Sequence, residues 1–129
     1  MKFIMLAYTN AQTWVEGTWD PEEFQKACDF YEQLGKELTE SGEAVYTAGL
    51  GDPSLTRTIR QTPSGTVAAD GPYAEVKEVL ASFGIVEVVS ADRAHEIAQQ
   101  IVDNVGDIVE VRPLMDGSDG PDGSGSANS

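Results

Sequence analysis

Two apolar segments constrain this fold more than anything else in the chain. Residues 2–8, KFIMLAY, are apolar at almost every position, and residues 79–89, VLASFGIVEVV, are apolar at both odd and even positions. Successive side chains of an extended chain point to opposite faces. Apolar runs this short therefore imply strands covered on both sides.

The rest of the chain supplies the elements around them. After a polar loop at 9–19, Asp20 is an N-cap, Pro21 fits the first helical position, and Glu22 and Glu23 suit the helix dipole. The stripe Phe24, Ala27, Cys28, Tyr31, Leu34, Leu38 then has helical spacing, and Ser41-Gly42 stops it. Strands are expected at 44–50, 56–61 and 66–69, the last two joined as a hairpin through Pro63-Ser64-Gly65. Ser90 caps a second helix with apolar positions Ala94, Ile97, Ala98, Ile101 and Val102, and 108–114 reads as a closing strand. This order predicts an α+β fold, a ferredoxin-like antiparallel sheet with two helices on one face. Such a sheet leaves its second face bare, and a second copy of the chain is the simplest cover, so a homodimer is expected.

At 129 residues the chain has the size of one domain. Its boundaries are expected at 1–115, with 116–129, DGSDGPDGSGSANS, as a disordered acidic tail that has no apolar side chain larger than Ala or Pro. The formal net charge is −14, and removing the tail's Asp116, Asp119 and Asp122 leaves −11 on the remainder. That field repels phosphate backbones and anionic lipids, and no Lys or Arg run offsets it, so neither nucleic acid nor membrane is an expected partner. A single cysteine, Cys28, excludes an intramolecular disulfide, and with one histidine it leaves no zinc-ligand set. No metal and no cofactor are implied. Residues 3–8 are too short for a signal-peptide core, and no run spans a bilayer, so a cytoplasmic location is expected.

The segment DGPYAEVK at 70–77, followed by Phe83-Gly84 and by VEVRP at 109–113, resembles the YCII-related family in its DGPF branch. Met1-Lys2, Gly49-Leu50 and Thr58-Ile59-Arg60 add to the likeness, which runs from residue 1 to about 115; Tyr73 and Val76 replace the commoner Phe and Thr. The resemblance implies a dimeric α+β barrel of ferredoxin-like protomers. It also implies small-molecule chemistry for some members and, for others, an association with sigma factors. The wider group's His-Asp pair, with its histidine near the first helix, has no counterpart here. The one histidine, His95, falls in the second helix, where a solvated surface residue is the simpler reading.

The candidate site centres on that motif. Asp70 is either the shaper of an Asx-turn or, at a cleft rim, a proton-transfer group, with Tyr73 beside it. Arg60 on the preceding strand has the fork to hold a carboxylate or enolate, although strand-edge arginines are commonly solvated. Glu75 and Lys77 share a face if extended, as a relay or as a plain exposed pair. Tyr8, Trp14 and Trp19 are candidates to wall an aromatic pocket or to pack in the core or dimer. Cys28, on the helix stripe, reads as a buried structural thiol. Two functions fit: a small-molecule enzyme doing lyase- or isomerase-like proton transfer through Asp70, Arg60 and Tyr73 in a dimer cleft, or a non-catalytic ligand-binding or regulatory module linked to transcription.

Overall fold

The computed structural model of the protein describes residues 1–11, 20–71 and 78–115. The elements are β1 (Lys2–Asn10), α1 (Pro21–Ser41), β2 (Ala44–Gly49), a short 3-10 turn (Pro53–Leu55), β3 (Arg57–Thr62), β4 (Gly65–Asp70), β5 (Glu78–Glu87), α2 (Ala91–Val105) and β6 (Ile108–Pro113). The expected tail at 116–129 lies outside the described residues.

Both helices begin and end as their capping residues dictate. Asp20 Oδ1 accepts a hydrogen bond from Glu22 N at 2.9 Å, and Ser90 Oγ accepts one from Arg93 N at 3.2 Å. α1 closes on Gly42 at φ 81°, a left-handed conformation that suits glycine, and its N–H donates to the carbonyls of Leu38 and Thr39.

β2, β5, β1 and β6 form one antiparallel sheet in that order, which is the βαββαβ arrangement of ferredoxin-like domains. Along β1, Phe3, Met5 and Ala7 are buried while Ile4, Leu6 and Tyr8 are half-buried. The buried set faces the helices, and Phe3 and Met5 of it join Val86, Leu34, Leu38, Ala94, Ile97 and Ile101 in one core. Ile97, 1% exposed, is its most enclosed large side chain, and burying such a group contributes about 1.5–3 kcal/mol.

Two register shifts modify the sheet. Between Ala7 and Tyr8 the partner on β5 steps from Ser82 to Leu80, and between Ala44 and Tyr46 the partner steps only from Val86 to Ile85. Each inserts one residue, Ala81 or Val45, as a bulge.

The expected hairpin forms, as β3 paired with β4, but as a separate two-stranded sheet. Every residue of β4 is exposed, as are Ile59 and Leu55. Two side chains of the α1 stripe also depart from expectation. Phe24 is exposed, and Cys28 is exposed instead of being a buried thiol, because the first half of α1 is not covered by the core that holds Leu34 and Leu38.

One polar brace ties the helical layer together. Arg93 at the start of α2 donates from Nε to Glu43 Oε2 at 2.8 Å and from Nη2 to Oε1 at 2.9 Å, while Ser41 Oγ donates to the same Oε1 at 2.7 Å. These bonds pull the Glu43 carboxyl down to about 2, and the carboxylate in turn raises the Arg93 pKa.

Candidate functional site

The residues singled out in the sequence divide among three places. Trp14, Trp19, Tyr73, Glu75 and Lys77 lie outside the described residues. Asp70 and Arg60 lie on the hairpin, and Tyr8 lies on the sheet.

On the hairpin, Asp70 pairs across the strands with Arg57, and Arg60 pairs with Val67. Arg57 and Arg60 are an odd number of residues apart, so they occupy opposite faces of the ribbon. Asp70 is thus beside Arg57, with Arg57 Nε 3.1 Å from Asp70 Oδ1, and not beside Arg60. Asp70 is 88% exposed in the protomer, so the partial burial that a cleft-rim acid needs is not provided by the chain's own described residues. Gly71 is anchored to the hairpin: its N–H donates to the Thr56 carbonyl at 2.7 Å, and Thr58 Oγ1 donates to the Gly71 carbonyl at 2.7 Å. The motif's first two residues therefore fasten the base of the hairpin. His95 is exposed on α2.

Tyr8 has more company. It belongs to the half-buried row of β1, on the sheet face turned away from the helices. Cross-strand pairing puts Ile85 opposite Ile4, Phe83 opposite Leu6 and Leu80 opposite Tyr8 on the same face. Tyr46 and Ala48 continue it on β2, where the Tyr46 and Phe83 rings lie 5.9 Å apart at 40°. On the other flank, β6 sets Ile108, Glu110 and Arg112 opposite Tyr8, Leu6 and Ile4. The result is an aromatic and aliphatic surface with one polar strip along a side. Within that strip a side-chain hydrogen bond to the Glu110 carboxylate raises the pKa of the Tyr8 phenol, burial adds to it, and the Arg112 charge opposes it.

Glu110 and Arg112 went unmarked in the sequence, as did Arg57. The signal for the first two was present: they stand two apart in a strand, so they share a face. Which face, and that Tyr8 shares it, depends on pairing between strands about a hundred residues apart. Chemically the strip offers a phenol, a carboxylate and a guanidinium, enough to orient a small polar group against an apolar floor. Among the described residues no three His, Cys, Asp or Glu side chains converge to hold a metal ion, and no helix is long and apolar enough to cross a membrane.

Comparison with known proteins fits this architecture. An uncharacterised protein of Rhizobium meliloti (strain 1021) is 28% identical over 117 residues, covering 88% of this chain and 92% of that protein. The YCII-related domain matches residues 1–117, nearly the whole chain. On that match, the chain belongs to the YCII-related domain family.

Proposed function

We propose that the protein is a small-molecule-binding homodimer in which two sheets pack outer face against outer face. A cleft then opens beside the polar strip of Tyr8, Glu110 and Arg112. The observation that supports this reading most is the outer face itself. Ile4, Leu6, Leu80, Phe83 and Ile85 form a contiguous apolar surface with no helix over it among the described residues, a type of patch that marks an interaction site. A second copy supplies a self-complementary cover about a two-fold axis, and a standard interface buries about 1,600 Å² in total. An exposed free thiol at Cys28 suits the reducing cytoplasm.

A charge placed at the centre of that face tests the reading. Phe83→Asp is expected to yield a monomer that keeps its helical circular dichroism, since residue 83 points away from the core that Ile97 anchors. A Phe83→Asp protein that sediments like the native chain would refute the proposed interface.

A second reading keeps catalysis, with Asp70, Arg60 and Tyr73 performing lyase- or isomerase-like proton transfer at the dimer cleft. What favours it is that Arg57 and the Gly71 hydrogen bonds hold Asp70 in a defined place at the head of the motif. What weighs against it is the exposure of Asp70 and the placement of Arg60 on the opposite hairpin face. Ligand binding without chemistry is therefore the preferred form.

A further inference from the structure

The β3–β4 ribbon leaves the body of the fold after β2 and rejoins it before β5, and among the described residues its strands pair only with each other. Both ends are tied: Gly71 N–H donates to the Thr56 carbonyl at the base, and Thr62 Oγ1 donates to the Gly65 carbonyl at 2.8 Å at the tip. Cross-strand pairing places Ile59 beside Ala68 on the face that also holds Arg57 and Asp70, and Arg60 beside Val67 on the other. A two-stranded hairpin in water is marginally stable at best unless a third strand or an apolar surface supports it. It also keeps two open edges, which folded proteins generally cover. Among the described residues the chain pairs no strand with either edge, and it leaves Ile59 68% exposed.

Charge, reach and position select what supports it. The two strands carry Arg57, Arg60 and Asp70, a net charge of +1 in a chain of −14, which leaves −15 on the rest. Two copies of so acidic a chain repel each other, and the ribbon is a segment that can approach a second copy without adding to that repulsion. Arg57 is paired with Asp70, whereas Arg60 forms no ion pair among the described residues. A strand of six residues extends about 20 Å and packed sheets stand about 10 Å apart, so the ribbon is long enough to reach from one sheet layer to the next. Its two flanking strands, β2 and β5, both contribute to the outer face, through Tyr46 and Phe83. The ribbon is therefore continuous in the chain with the face proposed to meet a second copy.

We infer that the β3–β4 ribbon is an arm that crosses to the second copy and packs its Ile59–Ala68 face there, each protomer holding the other. The inference rests on the homodimer proposed above and adds to it a contact that the sheet faces do not supply. Arg57 and Asp70 share the packed face, so the head of the DGPYAEVK segment lies at the junction of the two copies. The exposure of Asp70 in one protomer is then that of half an assembly.

Sedimentation equilibrium and hydrogen exchange on the full chain test the arm. Burying one side chain of isoleucine's size corresponds to about tenfold to a hundredfold in an equilibrium constant. Ile59→Asp changes an exposed site of the protomer, so it is expected to keep the native circular dichroism while raising the dimer dissociation constant by at least about tenfold. The β3 and β4 amides are expected to exchange at least about tenfold more slowly in the native dimer than in the Phe83→Asp monomer, where the hairpin stands alone. Should Phe83→Asp fail to fold, the native chain diluted to the monomer takes its place. An unchanged dissociation constant in Ile59→Asp, or ribbon amides that exchange equally fast in dimer and monomer, would overturn the arm and leave the outer-face dimer standing. A native chain that is monomeric at every concentration would instead remove the dimer itself, and the arm with it.

Discussion

The two faces of the four-stranded sheet are made from alternate residues of the same strands, yet they have different fates. The inner face carries Phe3, Met5 and Val86 into the helical core but also a row of small residues that leaves space under α1. The outer face carries larger side chains in the same strands, Leu6, Phe83, Ile85 and Tyr46, and nothing among the described residues covers them as the helices cover the other side. Apolar content alone therefore does not identify the core. A run that is apolar at every position supplies the core from one set of alternate residues and leaves the other set on the opposite face.

The largest effect is expected in the core that the inner face shares with the helices. Ile97→Ala removes the most enclosed large side chain and should cost about 2–5 kcal/mol, lowering the melting temperature on the order of 10 °C or more. A matched truncation on the outer face, Leu6→Ala, should cost the isolated protomer far less. Equal losses, measured by thermal unfolding at a dilution where the chain is monomeric, would erase the distinction between the two faces.

The brace over the inner layer sharpens the comparison through pH. The Glu43 carboxyl sits at about 2 in the folded chain against an ordinary 4.5, so its contribution is fully present above about pH 5 and is lost as pH falls toward 2. Glu43→Gln removes the charge-assisted bonds to Arg93 and should destabilise the fold by about 1–3 kcal/mol at pH 7. The difference from the native chain should shrink steadily as the pH is lowered through that window. Urea unfolding at several pH values checks it, and a constant difference down to pH 3 would show that the brace works by packing and not by charge.

The smallest effect on stability belongs to the hairpin. Asp70→Asn breaks an exposed pair with Arg57 and should change stability by less than about 1 kcal/mol. A larger loss would make the motif a structural fastening first. A native melt with lost turnover of a substrate found by screening would instead revive the catalytic reading.

Much of the fold was legible in advance, for definite reasons. Asp20-Pro21, Ser90 and Gly42 are local signals, each satisfied within a few residues, and they mark helix ends without knowledge of the rest of the chain. The closing turn of the hairpin, around Pro63-Ser64-Gly65, is equally local. Register is not. The bulges at Ala81 and Val45, which decide which face Leu80 and Tyr46 join, arise from pairing between distant strands. For the same reason the sequence points to Arg60 where Arg57 is the residue beside Asp70, and it does not single out Glu110 and Arg112 although they flank Tyr8. Helical spacing predicts a buried Cys28, but spacing reports only a shared stripe and not how far along α1 the core extends.

The central claim, that the outer face is built to meet a second copy, is tested most directly by sedimentation velocity of the native chain at micromolar concentration in physiological salt. The expected result is a single species of twice the chain mass, converted to the monomer by Phe83→Asp. A native chain that sediments as a monomer across that concentration range would contradict the account.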